Sequence, residues 1–317
     1  MLQGWQSALD AHGSQALHLR DLTGLLTLVC GLVWVVVVAV LIGAVLRRRP
    51  GAGLVPEPDR AREARIGRVV GGGVIATAAI ITGLTVASFL TTRNLADADP
   101  EALLIRVRGY QWWWEVAYLD PRPDRVLLTA NEIHVPVGRP VRLQLVGADV
   151  IHSFWVPSLA GKMDMIPGRD NELSFTAERP GTYRGQCAEF CGLQHAHMAV
   201  LVVAEPPDRF AAWRRAQLGA AASREGEAGR GRAVFLSKPC AACHTVRGTP
   251  AAGTLGPDLT HVASRRTIAA GLLPTTPGAL AAWVADPQTI KPGSTMPMVS
   301  LSPEELRAVT AYLASLR

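Results

Sequence analysis

The sequence predicts a multi-domain chain: two membrane-spanning helices, then an all-β barrel or sandwich, then an all-α C-terminal domain. Three observations lead there. Two long apolar stretches lie near the N-terminus, a middle section of short β-forming runs is punctuated by Pro and Gly, and the last section opens on a Cys-x-x-Cys-His run and closes on a helical repeat. At 317 residues the chain has room for two or three domains, and its mean hydropathy of +0.19 is high for a protein wholly in water.

The first span, about residues 22–46, includes Leu25, Leu26, Val29 and the run Val33-Trp34-Val35-Val36-Val37-Val38. About twenty such residues cross a bilayer core as a helix. The second, about 69–92, contains Gly71-Gly72-Gly73, and small residues suit close helix–helix packing in lipid. Arg47, Arg48, Arg49, Arg60, Arg62, Arg65 and Arg68 lie between the spans, so that loop is expected on the cytoplasmic side, with the N-terminus and everything after Thr91 outside. A secretory signal peptide is the alternative for the first span. It needs a basic start and a shorter apolar run, and here the start is uncharged until Asp10. Cys30, alone in the first span, reads as a packing residue.

Residues 95–205 form the β section. Leu103 to Val116 is rich in β formers and reads as strand, and further strands are expected at Arg125–Thr129, Ile133–Val135, Val141–Val146, Leu173–Phe175 and Ala199–Val203. Turn signals such as Pro136-Val137-Gly138 and Ile166-Pro167-Gly168 separate them. Within this section Cys187-Ala188-Glu189-Phe190-Cys191-Gly192-Leu193-Gln194-His195-Ala196-His197-Met198 gathers two thiols, imidazole and a thioether. That soft donor set selects copper, whereas calcium or magnesium calls for oxygen ligands. A disulfide or a structural zinc site is the plainer reading, but zinc rarely takes a thioether and a disulfide leaves His195 and Met198 unexplained.

Residues 206–225 are expected to hold a helix, with Pro206 and Pro207 at its entrance and Asp208 in its first turn, followed by a small-residue linker around Ala220–Gly226. Residues 226–317 then carry Cys240-Ala241-Ala242-Cys243-His244, the attachment motif of c-type haem, in which both thiols add to the porphyrin vinyls and the adjacent histidine ligates iron. A redox dithiol or half a zinc site is the alternative. Met296 and Met298 are the candidates for the sixth iron position, with Met296 preferred because its Met-Pro pair has the conventional spacing. The last helix starts at Ser302-Pro303 and repeats Leu306, Val309, Tyr312 and Leu313 on one face.

Charge divides by section. Residues 95–205 carry ten basic and fourteen acidic side chains, and residues 226–317 nine and five. Opposite signs favour docking of the two sections on one another, although so small an excess can also be incidental. No concentrated basic patch suggests a nucleic-acid partner.

The segment from His152-Ser153-Phe154-Trp155-Val156-Pro157 through Gly185-Gln186-Cys187 to Met198 resembles the dinuclear copper domain of cytochrome c oxidase subunit II. The resemblance covers about residues 15–215 and implies a two-helix transmembrane hairpin followed by an all-β cupredoxin barrel. The C-terminal section resembles an all-α class I cytochrome c, as in the bacterial variant that fuses the two. Carried over, the pattern makes His152, Cys187, Cys191, His195 and Met198 side-chain ligands of two coppers and gives Glu189 a backbone-carbonyl ligand role. It also implies a magnesium held by the Glu189 carboxylate together with subunit I. Gln111-Trp112-Trp113-Trp114 resembles the family's aromatic patch, with Trp112 at the point where electrons enter; without the resemblance, three tryptophans read as barrel packing. Gly256-Pro257-Asp258-Leu259 resembles the loop that packs on the iron-ligating histidine, and His261 is an alternative iron ligand that this pattern does not favour. His197 falls outside the ligand set. Two departures stand out: Tyr110 replaces a common histidine, and only Glu63 approximates the acidic residue of a proton path.

The resemblance implies an electron-transfer subunit of a proton-pumping haem-copper oxidase that partners subunit I, subunit III, a cytochrome c donor and the lipid bilayer. Its expected location is the bacterial plasma membrane, with both cofactor domains on the periplasmic face. The rivals are the corresponding subunit of a copper-containing nitric oxide reductase and a non-catalytic copper-delivery or redox-sensing protein. Quinol-oxidising relatives lack the copper ligands, so the intact set argues against a quinol donor.

Overall fold

The computed structural model describes residues 6–47, 60–94, 99–222 and 225–317; Arg48 and Arg49 of the basic loop and Arg224 of the linker lie outside them. The chain forms two compact units, one of His18–Asp97 and one of Met1–Leu17 with Ala98–Arg317.

Helices α1 (Ser14–Leu46) and α2 (Arg60–Asn94) are both long and apolar enough to cross a membrane. Each begins before the apolar run that marks it, because helix geometry continues through the polar residues ahead of the lipid-facing stretch. Side chains such as Leu28, Val40, Val69 and Ile75 are exposed, as lipid-facing residues must be. Cys30 is likewise exposed, and a Cβ added at Gly71, Gly72 or Gly73 would meet nothing within 4 Å.

The second unit contains a β-sandwich of cupredoxin type. One sheet has the order β3-β2-β1-β5-β8 and the other β4-β10-β9-β6-β7. The strands are β1 (Leu103–Tyr110), β2 (Trp113–Tyr118), β3 (Leu127–Ala130), β4 (Glu132–Pro136), β5 (Pro140–Gly147), β6 (His152–Trp155), β7 (Met163–Met165), β8 (Asn171–Thr176), β9 (Gly181–Cys187) and β10 (Ala199–Glu205). Strict alternation in β1 and β5 sends Leu103, Ile105 and Val107 and Val141, Leu143 and Leu145 into one core with Trp114, Tyr118 and Phe154.

The run Leu103–Val116, read as strand throughout, is a hairpin. It turns at Gln111–Trp112 and pairs Tyr110 with Trp113 and Gly109 with Trp114. The turn carries no Gly or Pro. Its hydrogen bonds come from afar: the Gln111 amide donates to Asp149 Oδ2 at 2.7 Å.

Residues preceding α1 belong to the sandwich. The His12 amide donates to the Ser158 carbonyl at 2.7 Å, and Ser14 Oγ accepts from the Thr176 amide at 3.1 Å. The N-terminal residues and the sandwich therefore occupy the same side of any membrane.

Helix α3 (Pro207–Leu218) packs Phe210 against the sandwich core. The C-terminal section is helical, with α4 (Gly226–Ser237), α5 (Cys240–Cys243), α6 (Pro277–Ala285), α7 (Pro287–Ile290) and α8 (Pro303–Ser315), plus a two-stranded ribbon, β11 (Thr267–Ile268) and β12 (Leu273–Pro274). Helix α8 has a complete capping box between Ser302 and Glu305. Helices α4 and α8 approach at Gly231, where a Cβ would collide with the Ala308 carbonyl; beside it Phe235 and Tyr312 meet with ring centroids 5.7 Å apart. Only glycine permits that crossing.

Candidate metal and haem sites

The six groups assigned to the copper centre converge at one end of the sandwich. His152 starts β6, Cys187 ends β9, and the following loop returns Cys191, His195 and Met198 before β10. Cys187 Sγ lies 3.9 Å from His152 Nδ1 and 3.2 Å from the Glu189 carbonyl oxygen. Cys191 Sγ lies 3.6 Å from His195 Nδ1 and 3.9 Å from Met198 Sδ. The donor atoms of His152, Cys187 and Cys191 all fall within 4.8 Å of one another. His152, Cys187, Cys191 and Met198 are buried, whereas the Glu189 side chain is exposed.

Interaction with Cys191 holds the Cys187 thiol well below the ordinary thiol range against the opposing effect of burial, and the same interaction pushes Cys191 up. A thiolate beside a second sulfur, two imidazoles, a thioether and a carbonyl suits soft, copper-type coordination and would leave a hard oxygen-seeking cation undersatisfied.

Sequence reasoning missed Asp149. Its Oδ1 lies 2.8 Å from His152 Nε2, which directs the other ring nitrogen at Cys187. A carboxylate behind a ligating imidazole fixes its tautomer and orientation. Burial disfavours the charged His152 ring, but the Cys187 and Asp149 hydrogen bonds outweigh it and raise the pKa. An acidic residue three positions before the histidine was the available signal.

Trp112 touches the same loop. Its Nε1 donates to the Cys191 carbonyl at 2.9 Å, and Gln111 Nε2 donates to the same oxygen at 2.7 Å. Of the other tryptophans, Trp114 is fully buried in the sandwich core, and Trp113 stacks on Tyr110 at 4.9 Å.

In the C-terminal section Cys240, Cys243, His244 and Met296 line one cavity of about 530 Å³. Apolar side chains including Phe235, Leu259, Val262, Leu280 and Leu313 complete its walls, as a porphyrin requires. His244 Nδ1 lies 2.8 Å from the Pro257 carbonyl; a carbonyl only accepts, so Nδ1 carries the proton and Nε2 is free to bind metal. Burial lowers the His244 pKa, which favours the neutral, ligating ring. A Cβ at Gly256 would lie 2.6 Å from His244 Cε1, so this loop presses directly on the ring. Met296 lines this cavity, whereas Met298 is 61% exposed and His261 Nε2 is turned to the Gly219 carbonyl at 3.1 Å. The residues present fit a covalently held haem.

The cavity also reaches the sandwich, because Gln111, Trp112 and Asp149 form part of its wall. Lys291, at the C-cap of α7, is 3% exposed and donates to the carbonyls of Trp112 and His197 at 2.8 Å each and of Ala269 at 3.1 Å. Burial pushes its ammonium down to about 7, opposed by the nearby Cys191 sulfur. His197, outside the ligand set, supplies that carbonyl and hydrogen-bonds Gln194 Oε1 through Nδ1 at 2.8 Å. Glu63 is exposed in the first turn of α2.

Known families match both halves of this arrangement. Residues 103–205 match the family described as cytochrome c oxidase subunit II, periplasmic domain, and residues 228–317 match cytochrome c. Cytochrome c oxidase subunit 2 of Alkalihalophilus pseudofirmus is 35% identical over 321 residues, covering 98% of this chain and 91% of that protein. The same subunit of a Bacillus species is 34% identical over 255 residues, covering 74% and 70%. The crystal structure of the periplasmic domain of subunit II of cytochrome oxidase of Bradyrhizobium japonicum is 36% identical, covers 39% of this chain and 96% of that one, and has a TM-score of 0.35.

Proposed function

The chain belongs to the cytochrome c oxidase subunit II family, with copper and haem c binding and electron transfer in a haem-copper oxidase as its coarse function, and on that premise we propose how its residues divide the work. His152, Cys187, Cys191, His195, Met198 and the Glu189 carbonyl would hold a copper pair. Cys240 and Cys243 tether a haem whose iron takes His244 and Met296. When bound, these groups supply two one-electron couples, in the order external cytochrome c, haem c, dicopper, subunit I, which reduces oxygen to water and pumps protons.

The convergence of six soft-donor groups at one end of a cupredoxin sandwich carries this reading. Asp149 orients His152. Trp112 bridges the haem cavity and the Cys191 carbonyl, which supports it as the residue where electrons enter. The exposed Glu189 carboxylate is available to a magnesium shared with subunit I, and Glu63 is assigned to a proton path. Subunit III completes the complex. The sandwich-bound N-terminal segment and the arginines between the spans support both cofactor domains lying on the periplasmic face of the bacterial plasma membrane.

Flash reduction of the complex by an external cytochrome c tests the order. A Met296→Ala complex is expected to reduce dicopper at a small fraction of the wild-type rate; reduction at the full rate contradicts the order. Oxygen uptake without nitric oxide turnover in the wild-type complex is expected, and the reverse contradicts the oxidase assignment. Turnover of a Glu63→Gln complex is expected to fall; unchanged turnover removes the proton-path role.

A further inference from the structure

We propose that Lys291 is a positioning residue that pins the haem-carrying domain to the dicopper loop, so that electrons cross in one fixed docked geometry and no swing of the linker is needed. The proposal rests on the assignment of the two centres above and concerns how they are held together.

A buried ammonium is expensive unless its donors are met. Lys291 Nζ has three donors and three carbonyl acceptors, each from a different segment. Trp112 belongs to the β1–β2 turn, His197 precedes the ligand Met198, and Ala269 belongs to the haem-carrying domain itself. One side chain thus ties three backbone segments that the sequence separates widely. An ammonium meets such a three-way cluster, whereas the planar fork of arginine does not.

The loop that carries Lys291 also carries Met296. Gln288 Nε2 donates to the carbonyls of Ser294 and Met296 at 2.8 Å each, and the Gly293 amide donates to Gln288 Oε1 at 3.1 Å. Fixing Lys291 therefore fixes the approach to the proposed iron ligand. Further bonds cross the same boundary: Gln194 Nε2 to the Pro292 carbonyl, the Ala199 amide to the Ala270 carbonyl, and the Arg266 amide to Glu132 Oε2, each at 2.9 Å. These flank Lys291, and one of them brings in the buried Glu132 carboxylate. Truncating the lysine removes this donor from all three carbonyls, of which the Trp112 bond is buried, the costly half of a broken hydrogen bond.

The step served is a single electron transfer: the haem iron passes from ferrous to ferric, the dicopper pair gains one electron, and no bond or proton changes. A docked geometry makes its rate independent of domain diffusion. A swinging linker makes it fall as solvent viscosity rises.

The test uses the full chain in its assembled complex, with one electron injected into haem c by a photoexcited ruthenium complex and glycerol used to vary viscosity. The wild-type rate is expected to be independent of viscosity. In Lys291→Met the docking equilibrium is expected to weaken about tenfold, the factor corresponding to loss of one charge-assisted hydrogen bond, and transfer to slow and become viscosity-dependent, with haem and dicopper spectra unchanged. A purely structural role would alter the spectra or yield without making transfer viscosity-dependent. Hydrogen exchange at the Ala199 amide is expected to be slow in the wild type, which keeps the proposal testable if the variant does not assemble. A viscosity-dependent wild-type rate, fast exchange at Ala199, or wild-type transfer in Lys291→Met overturns the proposal while leaving the two centres assigned. Absence of a dicopper spectrum or of any haem-to-dicopper transfer in the wild type overturns both.

Discussion

Trp112 Nε1 donates to the Cys191 carbonyl at 2.9 Å, joining an indole in the wall of the haem cavity to the backbone of a proposed copper ligand. The contact gives a short, hydrogen-bonded path within the sandwich, from the cavity wall to the copper loop. Replacing Trp112 with Leu removes both the ring and the donor. Transfer from haem c to dicopper is expected to slow because the path through the ring and its hydrogen bond is lost, while the copper spectrum persists. Laser-flash kinetics measure it, and an unchanged rate removes Trp112 from the route.

Asp149→Asn should weaken the hold on His152. The carboxylate 2.8 Å from His152 Nε2 sets the ring so that Nδ1 faces Cys187. Copper affinity is expected to fall about 10–100-fold, the usual effect of losing such a partner. Competitive copper titration of the variant measures the change.

The sixth iron position is expected to be a thioether, which raises the reduction potential. Met296→His should therefore lower the haem c potential, and Met298→Ala should leave it unchanged because Met298 is exposed. Potentiometric titration of the haem absorbance distinguishes the two variants.

His134 provides a pH-dependent contribution to stability. Burial disfavours its charged form, but hydrogen bonds to Glu132 at 2.9 Å and Glu205 at 3.1 Å outweigh that and raise its pKa above 6.5. The stabilisation is fully present below 6.5 and is lost as pH rises through the raised folded value. Glu205, lowered chiefly by His134, contributes above 4.5 and loses its contribution as pH falls through its lowered value. The wild-type thermal midpoint is expected to decline as pH rises above 6.5, and the His134→Gln variant should have a flatter profile by calorimetry.

The two cofactor motifs were legible because their chemistry is local. Cys187 to Met198 and Cys240 to His244 each keep their donors within one loop, and His152 required only the family resemblance. Strand alternation likewise exposed β1 and β5. What escaped depends on partners far away in the chain. The Gln111–Trp112 turn has no turn residue of its own and is supported by Asp149. Strand β6 is only four residues long, and β9 has Gly185 in its inward row, so neither stands out as an apolar alternation. Lys291 bonds only backbone carbonyls, which leave no trace in residue identity. One signal was present but unused: Ala199–Ala204 is buried throughout β10, and a continuous apolar run means both faces of a strand are covered. The opposite net charges of the two sections leave no mark on the Lys291 contact, which joins an ammonium to neutral carbonyls.

Electron paramagnetic resonance of the copper-loaded chain decides whether one loop and His152 hold a pair of coppers. A mixed-valence signal with hyperfine splitting from two equivalent copper nuclei is expected, lost in Cys187→Ser and in Cys191→Ser. A mononuclear signal from the fully loaded wild-type chain would contradict the pair.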